Sequence, residues 1–365
     1  MHPPIDTVYP AVSTEFCPTA GSQHIFACGT YKLLQQESAS ETCGFEVENS
    51  SGRSKQTRVG RCTMSSVSND DGGEDTLEKI QDIELPGILD MKWCHRMEAW
   101  APLLGIADAE GFVTLHEWKK EETRLNKIHS ISLGGSDVLC LSLDWSNRRW
   151  PSSGLGSLVV SLSDCSLAIL HPDNTIGLRQ SNSWSAHDFE PWIAAWDYWD
   201  SNIVYSGGDD VKLKGWDIRR GFDSPTFVYK RFDAGVTAIQ SHPYIEHLFA
   251  AGSYDSTVRI FDTRKPSKPV AETNVGGGVW RLKWHPSPQR KKDLLAACMH
   301  NGLKILHYES CSDSEMGNAS IGKQYDGHES LAYGVDWSYA EGTNRQNTLI
   351  ASCSFYDHSL HLWRG

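Results

Sequence analysis

A unit of roughly 40–45 residues recurs along the chain, and that repetition constrains the fold more than any other feature of the sequence. The clearest copy runs from Gly235 to Asp262 as GVTAIQSHP, HLFAAGSYDS and TVRIFDTR. Three short apolar segments, each closed by a turn signal, have the length and patterning of strands. WIAAWDYW, NIVYSGGDD and VKLKGWDIRR precede that copy. GVWRLKWHP, LLAACMHNG and LKILHYES follow it, and YGVDWSY, LIASCSFYDH and SLHLWRG come last. Weaker copies begin at ILDMKWC and VLCLSLDW, and the most degenerate is VSTEFCP with HIFACGTYKL. The position that closes the first strand falls at Trp93, Trp145, Tyr198, Ser241, Trp284 and Trp337, with gaps of 52, 53, 43, 43 and 53. Such a period, lengthened in places by loop insertions, marks propeller blades.

Seven copies predict an all-β, seven-bladed propeller of the WD-repeat class, formed by residues 1–365 as one domain. Trp216-Asp217 and Phe261-Asp262 supply the dipeptide of that class or its Phe variant. Segments between copies, such as FVYKRFD and KPVAETN, supply outer strands. The last copy ends with only three strands, so Ile5–Ala11 is expected to complete the last blade and close the ring, which removes exposed sheet edges. Residues 35–82 are polar and of low complexity, and are expected to be a partly flexible insertion of blade loops.

Charge narrows the function classes. The chain carries 34 Lys+Arg against 46 Asp+Glu, a net charge of −12, which argues against nucleic acid or a membrane surface as a partner. The start MHPPIDTVYP lacks a basic segment followed by an apolar run, and the 10 Cys form no CxxC pair. Cys28, Cys140, Cys298 and Cys353 sit in apolar strand-like runs, as buried reduced thiols of a cytoplasmic protein would. No spacing of His, Cys and Asp suggests a metal site, and no motif calls for a cofactor.

Several conspicuous polar residues have a packing explanation. In WD repeats a His, a second-strand Ser or Thr, the turn Asp and the Trp share buried hydrogen bonds. His187, Ser206, Asp210 and Trp216 fit one such set, Ser253 and Asp255 another, and His328, Asp357 and Trp363 a third. His242-Pro243 and His285-Pro286 read as turns. The position before the turn Asp is less constrained, and it reads Ser163, Asp209, Tyr254, His300 and Tyr356 in the third to seventh blades. In the sixth blade Asn301 replaces the turn Asp itself. Trp280 and Tyr333 occupy matching early positions of inner strands, and Glu190 and Trp192 stand at the start of the fourth. These residues predict either an aromatic pocket at a channel mouth or a protein-binding face with aromatic anchors.

ILDMKWCH, LSLDWS, WIAAW, IVYSGGDD with GWDIR, GSYD, GGVWRLKWHP, AACMH and SFYDHSLHLW resemble the WD-repeat diphthamide-biosynthesis family, the diphthine methyl ester esterases. The resemblance runs from Phe26 to the C-terminus and is thin over 35–82. It implies a carboxylic-ester hydrolase acting on elongation factor 2, on a modified histidine that bears a trimethylammonio group and a methyl ester. A quaternary ammonium is held by aromatic faces and nearby negative charge. Tyr254, Tyr356, Trp280 and Tyr333 suit the faces, Trp192 adjoins them, and Asp209 or Glu190 suits the charge. His300 is the first candidate base, acting on water or on the Ser163 hydroxyl, because imidazole is the side chain suited to general-base work near neutral pH and blade packing does not require a His there. Asp209, His187 and His358 complete the catalytic candidates. GxSxG is absent, so an α/β-hydrolase site is not expected. A different class remains open: WDIR at Trp216–Arg219 and FDTR at Phe261–Arg264 resemble the endings by which non-enzymatic WD-repeat receptors dock to cullin ubiquitin-ligase adaptors.

Overall fold

The structure, a computed structural model, describes residues 3–34, 56–69, 75–135, 137–173, 177–309, 317–340 and 347–365. Among them, antiparallel strands form seven sheets in chain order. The inner strands are Ala11–Phe16, Ile88–Cys94, Cys140–Trp145, Ile193–Trp196, Val236–Ser241, Arg281–Trp284 and Ala332–Trp337. Each packs against the inner strand of the next blade, and the seventh returns to the first, so the sheets close into a ring. The apolar core is divided among the gaps between blades, as where Ala238, Leu248 and Val258 of the fifth blade meet Leu282, Trp284 and Leu294 of the sixth. No described helix is long and apolar enough to cross a membrane.

A ladder of indoles fixes the register between blades. Trp93 donates its ring N–H to the carbonyl of Glu15, Trp145 to that of Lys92, Trp196 to that of Asp144 and Trp337 to that of Lys283. In the fourth blade the inner strand therefore closes at Trp196, two residues before the Tyr198 that spacing alone suggested. Both residues are aromatic and buried, and it is the Trp196 indole that bonds the neighbouring carbonyl.

The ring closes with a shorter segment than Ile5–Ala11. Ile5 pairs with Leu360 and Asp6 with Ser359, after which Thr7 donates its N–H and hydroxyl to the carbonyl of His358. Ala11 already belongs to the first blade, where it pairs with Thr30.

The stretch 35–82 is also corrected from Arg58 onward. Arg58–Asn69 and Asp75–Pro86 are the third and fourth strands of the first blade, 12 residues each. Residues 35–55 and 70–74 lie outside the described residues. An outermost strand needs little apolar content when cross-strand polar pairs hold it. Arg61 meets Glu84 at 2.6 Å, and the Thr63 hydroxyl donates to Asp82 at 2.7 Å. Asp75 also receives Arg364 at 2.6 Å, tying the first blade to the seventh.

The buried histidine sets lie where the repeat template puts them. His187 contacts Asp210 and Ser206, each at 2.8 Å, and Trp216 donates to the same Ser206 hydroxyl at 2.9 Å. Burial opposes ionisation of Asp210, but His187 and Lys214 hold its carboxyl below the usual range. In the seventh blade His328 and Trp363 meet at Ser352, and Asp357 joins through Ser354 and Ser359. The fifth blade lacks the histidine, and Arg259 pairs with Asp255 at 2.7 Å in its place. His242 and His285 are turn residues, each accepting backbone N–H bonds on Nδ1.

Candidate functional site at the channel mouth

Inner strands begin, and second strands end, at the same mouth of the channel. There the fourth to seventh blades bring six aromatic residues into one continuous row. Trp192 lies 6.0 Å from Trp280, measured between ring centroids. Trp280 is also 5.9 Å from Tyr254 and stacks on Tyr333 at 4.7 Å. Tyr333 contacts Phe355 at 5.3 Å, and Phe355 meets Tyr356 edge-on at 4.9 Å. Tyr356 ends the row with 71% of its surface exposed. Sequence reasoning named all of these except Phe355. The SFYDH segment offered two adjacent aromatics, and counting from the turn selected only the second.

Asp209 supplies negative charge beside the row. Its Oδ1 accepts the Trp192 indole N–H at 2.9 Å, and its backbone N–H donates to the carbonyl of Glu190. A Cβ at position 235 would stand 2.4 Å from Asp209 Oδ1, so Gly235 is what lets that carboxylate approach. Position 278 is similarly tight, with Met299 Sδ at 2.8 Å and Tyr254 at 3.3 Å from a hypothetical Cβ. Burial, with Tyr333 and Asp209 nearby, pushes the Tyr254 phenol up. Burial and Tyr356 do the same to Tyr333. Both rings stay neutral at physiological pH and present uncharged faces.

The remaining candidates are spread around this mouth. His300 is an exposed residue of the turn between Cys298 and Gly302, and no hydrogen bond, ion pair or ring contact engages its imidazole among the described residues. Its neighbour Met299 bridges to Ala332, the residue before Tyr333. Asn301 donates to the carbonyl of Val275 at 3.2 Å, which is what the substituted turn position does in this blade. Glu190 is exposed. Ser163 is half-buried, and its hydroxyl oxygen accepts the N–H of Leu139 at 2.8 Å, at the start of the third blade. His187 has both ring nitrogens engaged inside the fourth blade. His358 sits at φ 52° and contributes its carbonyl to ring closure.

Below the mouth the channel is filled with buried charge. The residue before each strand-closing position reads Glu15, Lys92, Asp144, Ala195, Gln240, Lys283 and Asp336 around the ring. Lys92 meets Glu15 and Asp90, each at 2.8 Å, and Lys283 meets Glu15 at 2.6 Å and Asp336 at 3.3 Å. Arg148 pairs with Asp144 at 3.4 Å, and Arg281 reaches across the channel to Asp90 at 3.0 Å. In the sequence this layer corresponds to the dipeptides EF, KW, DW, KW and DW at the strand-closing positions.

No family model matches the chain. Curated relatives do. A protein named "Diphthine methyltransferase" from Homo sapiens is 41% identical over 344 residues, covering 92% of this chain and 74% of the relative. A "Diphthine methyltransferase homolog" from Dictyostelium discoideum is 34% identical, covering 97% of this chain and 96% of its own. The chain belongs to the diphthine methyltransferase family. Membership agrees with the resemblance carried by GGVWRLKWHP, AACMH and SFYDH, and supports an enzymatic role in diphthamide biosynthesis. The family name speaks of methyl transfer and does not state ester hydrolysis. A weaker likeness, 33% identity over 196 residues and 45% of this chain, is to a "DDB1- and CUL4-associated factor 11 homolog" from Caenorhabditis elegans. A chain of the "Crystal Structure of Mitotic Checkpoint Complex" aligns with TM-score 0.65 at 17% identity, over 99% of this chain and 91% of that one, a likeness of fold.

Proposed function

We propose that this diphthine methyltransferase family member is a methyl esterase: it hydrolyses the methyl ester of methylated diphthine on elongation factor 2. The observation that carries this reading is the aromatic row with Asp209 beside it. A trimethylammonio group donates no hydrogen bond and is held by ring faces and a nearby carboxylate. Trp280, Tyr254 and Tyr333 supply the faces and Asp209 the charge, with Trp192, Tyr356 and Glu190 at the edges. In the reaction water adds to the ester carbonyl, the carbon–oxygen bond to the methoxy group breaks, and methanol, a carboxylate and a proton result. His300 takes the proton from water. Two others rank lower: His187 has both ring nitrogens committed to blade packing, and the Ser163 hydroxyl is committed to the start of a strand, which leaves His358 as the reserve base. The test is methanol release in a single turnover with methylated elongation factor 2. Methanol at the rate of substrate loss supports the reading; intact ester after prolonged incubation overturns it.

A second reading has its own observation. Arg219 and Arg264 project from the opposite face of adjacent blades, 56% and 47% exposed, each folded onto the Asp of its own motif at 2.8 Å. Two such endings side by side suit docking to a cullin-ligase adaptor, in line with the partial likeness to the DDB1- and CUL4-associated factor. The Arg219→Ala, Arg264→Ala double variant would abolish capture of that adaptor without changing methanol release. Both functions can reside on one propeller, because they use opposite faces.

A further inference from the structure

Arg281 follows Trp280 by one residue, the step at which the aromatic mouth gives way to the charged channel. The cavity below that step is lined by Lys92, Arg148, Arg281, Lys283 and Asp144, and Glu15, Asp90 and Asp336 also pair with these cations. Three of these cations are held tightly. Lys92 sits between Glu15 and Asp90, Lys283 between Glu15 and Asp336, and Arg148 against Asp144. Their side chains are 3–7% exposed. Among the described residues Arg281 makes one ion pair, with Asp90, and it keeps 11% of its side chain open. A guanidinium carries five N–H donors in a planar fork, and one carboxylate oxygen does not occupy them.

We propose that Arg281, backed by Lys92, is an anion-binding site for a carboxylate at the floor of the aromatic mouth, and a specificity-determining residue of the reaction. This rests on the esterase reading: the site takes the carbonyl oxygen of the ester as negative charge develops on it, and then the carboxylate of the product. The aromatic row holds the cationic end of the same side chain, one residue step above. Such a layout selects a molecule that carries a quaternary ammonium and a carboxylate close together over one that carries the ammonium alone. Asp90 positions the fork; it accepts from Lys92 and from the N–H of Leu143 at 3.1 Å, so it is itself fixed.

The test uses two small probes on the full chain, trimethylglycine and choline, whose methyl signals are followed by ligand-observed NMR. Both carry the trimethylammonio group, and only trimethylglycine carries a carboxylate. The wild-type protein should prefer trimethylglycine by about tenfold, the scale of a charge-assisted hydrogen-bonded pair. Arg281→Gln combined with Asp90→Asn removes both charges and leaves no unpaired buried carboxylate; it should bind the two probes equally, with choline affinity unchanged. Arg281→Lys should restore part of the preference. Thermal melting checks folding of each variant. Equal binding of the probes by wild type, or an undiminished preference in the double variant, overturns the proposal. If the preference depends on Arg281 but methylated elongation factor 2 releases no methanol, the anion site stands and the esterase reading falls.

Discussion

The indole N–H of Trp192 donates to Asp209 Oδ1 at 2.9 Å, joining the start of one strand to the end of the next within the fourth blade. The bond fixes the exposed carboxylate beside Gly235, next to Tyr254 and the aromatic row. Asp209→Asn should therefore raise KM about tenfold and change kcat less, because the charge acts on capture of a cation. Trp192→Phe keeps a ring but frees the carboxylate, and should shift KM in the same direction by less. Steady-state kinetics of methanol release would show either pattern; a fall in kcat at constant KM would assign Asp209 to the chemical step.

Asp210, one residue on, has the opposite character. It is 7% exposed and bound to His187. Asp210→Ala should cost roughly 1–3 kcal/mol per buried partner left unpaired. Urea melts should detect this loss, with turnover per folded molecule retained. Unchanged melting with lost turnover would move Asp210 into the catalytic machinery.

The contrast between residues 209 and 210 shows how far the sequence could be read. Turn Asp, His, Ser and Trp positions follow from blade geometry, so those sets were legible from spacing. The aromatic row was legible too, because residues at one repeat position converge at one mouth. Phe355 was missed because ring contacts between blades depend on side-chain direction, which a repeat count does not give. The outer strands of the first blade were missed for a different reason: Arg61, Asp82 and Glu84 hold them by charge pairs, so apolar periodicity is weak there. The shift from Tyr198 to Trp196 came from two buried aromatics competing for one register.

The channel charges predict an acid response. Burial alone would raise Glu15, but Lys283 and Lys92 hold it down at about 2. Its stabilising contribution is present above the unfolded value of 4.5 and is lost as pH falls toward 2. Asp336 behaves in reverse. Burial pushes it up to about 6 despite Lys283, so the folded state takes up a proton first, and its own contribution improves as pH falls from 6 toward 4. Urea melts between pH 2 and 7 should lose the acid-side decline in Glu15→Gln, which is also less stable at pH 7. Asp336→Asn should lose the change between pH 4 and 6. Profiles identical to wild type would contradict both assignments.

His300→Gln tests the proposed base. The residue is exposed and its side chain has no hydrogen-bond or ion-pair partner among the described residues, so melting should not change. Single-turnover hydrolysis should fall by roughly 100-fold or more, the scale of general-base catalysis. Near-wild-type turnover would remove His300 from the mechanism and direct the search to His358.

Heavy-oxygen water distinguishes ester hydrolysis from methyl transfer most directly. Methylated elongation factor 2 is mixed with excess enzyme in labelled water, and the modified histidine is analysed by mass spectrometry with the methanol collected. The account predicts that one labelled oxygen enters the freed carboxylate and that the methanol is unlabelled, because water attacks the carbonyl carbon. A carboxylate without label, or an ester that persists while a methyl group appears or disappears elsewhere, would contradict it.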